Sequence, residues 1–206
     1  MSTAKQSRSR KSEQRILAAV RRLLVSGGLE GMTVADIARE ADVSVGGFYA
    51  RFPSKAAAIV RLCDESFLDR YVERAEALFR LDRWRGAHAE QILRAYLELA
   101  VETFRENRIL LAEVARWSRA SSDEHFRRRV AEFGRRIHAI IRPVLLQARG
   151  ISHPVPGRAI DLGMIGVAAI IREVILFADE RPDIDVDDDA LVDEMHVLFT
   201  GYLAAG

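Results

Sequence analysis

The chain has 206 residues, 49% hydrophobic and 30% charged, enough for one or two domains with a substantial core and far from a disordered composition. Its net charge of +1 hides an asymmetry: through Lys55 there are ten basic and five acidic side chains, so the first 55 residues are net +5 and the rest net −4, as in a protein that touches a polyanion at one end. The lone cysteine, Cys63, excludes an intrachain disulfide, and the most apolar run, Leu162 to Ile171, is about half the ~20 residues of a membrane span, so a cytoplasmic protein without membrane contact is expected.

Residues 1–11 are polar and basic and read as a flexible arm. Arg8, Arg10 and Lys11 could reach a nucleic-acid groove, or the arm is simply a solvated tail. From Ser12 to Ser26, the spacing of Ile16, Leu17, Val20, Leu23 and Leu24 predicts a helix of about four turns, ended by Gly27 and Gly28. Thr33 then caps a short helix with an apolar face of Val34, Ile37, Ala38 and Ala41. After a break at Asp42, Ser44 caps a second short segment whose Phe48 and Phe52 lie one helical turn apart, and Pro53 ends it. Two short helices joined by a tight turn describe a helix-turn-helix, whose second helix enters the major groove of DNA.

That second segment is a poor helix on its own, because Gly46 and Gly47 each cost about 1 kcal/mol against alanine. Close approach to a phosphate backbone or a base edge is a physical reason to keep them: without a Cβ the first turn can lie against DNA with its free N–H groups toward an anion. At the groove we expect Val45, able to meet a thymine methyl, with Gly46 and Gly47; Arg51 suits either a guanine edge or a phosphate.

The run VSVGGFYARFPSK, preceded by TVADIAREA and by an amphipathic helix ending SGGLEGMT, resembles the DNA-binding domain of the TetR family of transcriptional regulators. The resemblance covers about the first third of the chain. It assigns Thr33, Ser44, Tyr49 and Lys55 to phosphates, and implies a helical effector-binding and dimerisation domain behind the reading head. It departs from the family pattern at Asp42, where glycine is frequent, at Val45, where a basic residue is frequent, and at Arg51, where histidine or tyrosine is.

Ser54 caps the next helix, which runs through Ile59, Leu62, Cys63, Phe67 and Tyr71 toward Phe79; in the family this helix is where an effector changes operator affinity. Further helices are expected near 87–106, 108–119, 123–149 with a kink at Pro143, 157–179 and 188–204, with no convincing strand. The chain thus reads as all-α: an arm at 1–11, a three-helix reading head at 12–55, and a larger helical ligand-binding and dimerisation domain at 56–206.

Between Ile160 and Phe177 apolar residues occupy nearly the whole helix circumference, and Gly163, Gly166, Ala168 and Ala169 would let another helix approach. With Leu191, Met195, Leu198, Phe199 and Tyr202 this suggests a four-helix interface between two copies; a buried central helix in a monomer is the other reading. An effector pocket could draw on Tyr96, Phe104, Glu113, Trp117, Phe126 and His138, although such residues are also ordinary core. The acidic run Asp179 to Asp189 lacks the glycine and distal glutamate of a calcium loop. His88, His125, His138, His153 and His196 form no metal-binding pair, and no phosphate loop or nucleophile elbow is present, so neither cofactor, metal nor catalysis is expected.

These observations converge on a homodimeric, ligand-responsive regulator, most simply a repressor, bound to a palindromic double-stranded DNA operator and answering a small-molecule effector. The alternative is a small-molecule-binding or catalytic helical dimer whose first domain no longer reads sequence.

Overall fold

The computed structural model describes residues 2–120, 122–180 and 183–205; the side chains of residues 2–8, including Arg8 of the expected arm, and of His125 lie outside that description. Among the described residues there are ten α-helices and no strand; an isolated bridge pairs His88 with Arg149. In chain order they are α1 (Ser2–Gly27), α2 (Val34–Glu40), α3 (Val45–Tyr49), α4 (Lys55–Cys63), α5 (Asp69–Leu78), α6 (Ala89–Glu106), α7 (Arg108–Ala120), α8 (Glu124–Leu146), α9 (Pro156–Ile171) and α10 (Asp188–Ala204). Asp64–Leu68, joining α4 to α5, and Arg172–Leu176, continuing α9, are π-helical.

The first helix begins ten residues earlier than its apolar pattern indicates. From Ser2 the expected arm is continuous with α1, because a stretch of Ala, Lys, Gln and Arg without Gly or Pro extends a helix once the buried turns around Ile16 and Val20 have nucleated it. At its other end Gly28 takes a left-handed φ of 71° and donates its N–H to Leu24 O at 3.1 Å.

Close packing divides the chain into two units. The first comprises residues up to Asp69 together with Ile109–Ala131; the second comprises Arg70–Arg108 and the chain from Glu132 onward. Residues 109–131, which follow the reading head by half the chain, thus share its compact unit. The expected division at 55/56 rests on sequence pattern, and close packing groups the residues along a different line.

In the first unit Ile16, Val20, Leu29, Ile37, Phe48, Ile59 and Leu62 are fully or almost fully buried and form one core under α1 to α4. Arginines of α1 reach its neighbours: Arg22 meets Glu40 at 2.6 Å, and Arg21 donates to Ser66 at 2.8 Å. Thr33 caps α2 by accepting from the Asp36 N–H at 3.1 Å, while Asp36 accepts in return from the Thr33 N–H. The Thr33 hydroxyl, the Thr33 backbone and Arg39 together hold the Asp36 carboxyl below the usual aspartate range. Asp42, in the turn after α2, has a φ of 52°, the left-handed conformation its departure from glycine leads one to expect there.

In the second unit α6 contributes Ile92, Leu93, Tyr96 and Leu97 to a core shared with α9 and α10. Arg94 meets Asp193 at 2.8 Å and Arg105 donates to Asp188 at 2.8 Å, tying α6 to α10 along its length. Asp161 of α9 accepts from Arg142 at 2.6 Å and lies 2.9 Å from His138 Nε2, which ties α9 to α8. Pro143 falls within the last turn of α8, which stops at Leu146 rather than near Arg149. Among the small residues of α9, Gly163 serves this chain, since a Cβ there would run into the Phe199 ring of α10, whereas Gly166 has nothing within 4 Å and Ala168 is exposed.

Two consequences can be measured. Gly163→Ala gains about 1 kcal/mol of helix propensity but forces a methyl into a buried ring, and overpacking of about 1–3 kcal/mol outweighs the gain; urea denaturation should show net destabilisation. Because folding lowers the Asp36 pKa, its contribution is complete above the unfolded value and disappears as pH falls through the folded one. Acid titration of the unfolding midpoint below about pH 4 should therefore fall more steeply for the native chain than for Asp36→Asn.

Candidate DNA interface

The second short helix is the shortest α-helix among the described residues. α3 has five residues, and the backbone beyond it tightens, with the Arg51 N–H donating to Phe48 O at 2.8 Å and the Phe52 N–H to the same oxygen at 3.0 Å. It therefore ends earlier than the Val45-to-Phe52 segment suggested, because the residue before Pro53 is driven out of helical geometry. Phe48 is fully buried and Phe52 nearly so, their rings 5.8 Å apart, and these two anchor the segment to the head.

Anchoring one side leaves the other bare. Val45 is 46% exposed and Tyr49 54%, and Gly46 is exposed between them. The two glycines differ. A Cβ at Gly47 would press on the Ser44 hydroxyl at 3.2 Å, so that position is kept small by the cap itself. A Cβ at Gly46 would meet nothing nearer than 3.9 Å, so nothing within the protein demands a glycine there. The Ser44 hydroxyl oxygen accepts from the Gly47 N–H at 2.9 Å, which leaves its proton available to an outside acceptor.

The other expected phosphate contacts divide. Tyr49 and Arg51 are exposed, the latter donating only to its neighbour Ala50 O at 3.2 Å. Thr33 spends its hydroxyl proton on Asp36 at 2.6 Å. The Lys55 ammonium donates to Leu29 O at 2.9 Å and Met32 O at 2.8 Å and lies 5.1 Å over the Trp117 ring. Partial burial pushes its pKa down, a cost the two carbonyls offset. This structural role stands beside the phosphate contact expected of Lys55, and no sequence spacing announces it.

The six residues considered for an effector pocket are divided between the two units. Glu113, Trp117 and Phe126 belong to the first unit, and Tyr96, Phe104 and His138 to the second. Glu113 accepts from the Leu29 N–H at 3.0 Å, and Trp117 packs on the fully buried Phe126 with ring centroids 4.4 Å apart. His138 is occupied by Asp161, and Tyr96 is core, its hydroxyl pushed up to about 12 by burial. A cavity of about 350 Å³ in the first unit is lined by Glu30, Glu113, Arg116 and Trp117, and one of about 450 Å³ in the second by Arg74, Arg83, Glu98 and Glu102. The second was not anticipated in sequence.

Cys63 is buried and its thiol is pushed up to about 12, which keeps it protonated and unreactive. The acidic run is put to structural use: Asp179 pairs with Arg108 at 2.7 Å, and Asp187 caps α10 through the Ala190 N–H at 2.8 Å. Among the described residues no cluster could hold a metal ion, and no helix is long and apolar enough to cross a membrane.

Residues 16–61 match the family described as bacterial regulatory proteins, tetR family. No curated protein matches the chain. Among solved structures, the fatty acid degradation regulator FadR from Bacillus halodurans superposes with a TM-score of 0.68 at 19% identity, over 92% of this chain and 95% of that one. FadR from Bacillus subtilis in complex with stearoyl-CoA gives 0.67 at 19% identity, over 92% and 98%. The TetR-family regulator PfmR from Thermus thermophilus gives 0.63 at 21%, over 91% and 97%. At such identities the superpositions establish the fold, and the matched segment is the one that carries α3 and its exposed face. Residues 16–61 thus form a reading head similar to the DNA-binding domain of bacterial regulatory proteins of the tetR family, and the whole chain shares the fold of such regulators.

Proposed function

We propose that the protein is an effector-responsive repressor that acts as a homodimer on a near-palindromic operator, each half-site read by one α3. The observation that carries this reading is the two-sidedness of α3: Phe48 and Phe52 are buried, while Val45, Gly46 and Tyr49 face outward on a segment with no folding reason for glycine at position 46. Val45, Gly46 and Gly47 meet base edges, Ser44 and Tyr49 donate to phosphates, and Arg51 takes a guanine edge or a phosphate. Thr33 reaches a phosphate only by exchanging its bond to Asp36.

Dimerisation is supported by an uncovered apolar surface on α9 and α10. Leu162 and Ile165 are 53% and 64% exposed, and Val197 and Leu198 are 68% and 55% exposed, with Tyr202 one turn beyond. Such a patch on adjoining helices is what a second copy covers, and α9 with α10 from each chain would form a four-helix interface. The effector would act on the second unit, and the stearoyl-CoA complex of the similarly folded Bacillus subtilis FadR is one case of this architecture holding a small molecule. The protein functions in the cytoplasm, where its DNA is.

Gly46→Ala separates folding from reading. It should leave the chain folded and raise stability by up to about 1 kcal/mol, since alanine is the better helix former and has room. Fluorescence anisotropy on DNA selected from a random pool should show its affinity lowered by about tenfold or more; unchanged affinity would mean Gly46 does not face the duplex. Ile165→Asp should yield a monomer by sedimentation equilibrium and lose tight binding to a two-half-site operator, and persistence of the dimer would place the interface elsewhere.

A further inference from the structure

The loop between α1 and α2 is fastened in part from outside the matched reading head. Residues 28–32 belong to no helix, so their backbone groups need partners elsewhere. The Leu29 N–H donates to Glu113 Oε2 at 3.0 Å, while Leu29 O and Met32 O accept from Lys55 Nζ at 2.9 and 2.8 Å. Two side chains of opposite charge thus hold three backbone groups of one loop. Leu29 is fully buried between them and Met32 nearly so.

The chain at Gly28 is shaped to this contact. Its φ of 71° suits glycine, and a Cβ there would stand 2.6 Å from Glu113 Oε2. The other carboxylate oxygen accepts from Arg116 Nη1 at 2.9 Å, which helps fix the Glu113 rotamer. One turn further along α7, Trp117 lies beneath the Lys55 ammonium, so α7 supports both clasps. Thr33, the cap that starts α2, follows Met32 directly, and α2 in turn positions α3.

We infer that Glu113 is a positioning residue for DNA reading: through Leu29 it sets the start of α2. The inference rests on the regulator reading proposed above but assigns control to a residue that the family match, ending at residue 61, does not reach.

The test uses the full-length chain, with operator and unrelated duplexes compared by anisotropy over a range of salt, active fraction set by stoichiometric titration, and folding followed by thermal melting. Glu113→Ala should weaken operator binding by about tenfold or more, the usual effect of losing a hydrogen bond to a charged group, with an unchanged salt slope because no phosphate contact is lost. Glu113→Gln retains an acceptor and should restore most of the affinity. Gly28→Ala should reproduce the Glu113→Ala loss from the other side of the contact. Operator affinity equal to that of the native chain in both Glu113→Ala and Gly28→Ala overturns the positioning role. A native chain that binds operator no better than unrelated DNA fails the regulator reading instead, before any variant is compared.

Discussion

A five-residue helix with two glycines cannot hold itself together, and the reading head is built around that constraint. Nucleating a helix fixes several residues for its first hydrogen bond, so a segment as short as α3 exists only where tertiary contacts impose it. Here the imposition comes from Phe48 and Phe52, buried in the core formed by α1, α2 and α4, and from the Ser44 hydroxyl at the first turn. The outer side is then free to be small. Exposure and poor intrinsic stability share one origin: the side chains that would have steadied α3 would also have covered its outer face.

The same head shows how charge is divided between folding and function. Its net positive charge suggests a surface available to DNA, yet many of the cations are already engaged. Arg15, Arg21, Arg22, Arg39 and Arg61 each meet a partner within the unit, and Lys55 spends its ammonium on two carbonyls. Most of these pairs are surface-exposed and individually weak, so they can be exchanged for phosphate at little cost. Lys55 differs because its partners are the backbone of a buried loop, whose groups would be left without a donor if it swung outward.

The body is organised by a different requirement, that of covering apolar helices. Gly163 lets Phe199 lie against α9, which joins α9 and α10 into one slab with an apolar outer surface. Meanwhile α7 and the start of α8 pack with the head although they belong to the body in sequence. The π-helical segment Asp64–Leu68 joins α4 to α5 beside the boundary of the first unit at Asp69.

The chain's local pattern was sufficient for whatever depends on neighbours a few residues apart. Helical periodicity located the body helices to within a turn or so, cap residues at Thr33, Ser44 and Ser54 marked three starts, and the order of small and aromatic residues in VSVGGFYARF identified the reading segment. Partners far along the chain were not legible. Nothing in the spacing distinguishes Glu113 as a clasp on Leu29 from Glu113 as a pocket acid, or Lys55 on carbonyls from Lys55 on phosphate. Periodicity records which side of a helix is apolar; it carries no information about which polar atom 84 residues away will lie within 3 Å, because only the packing of whole helices brings the two together.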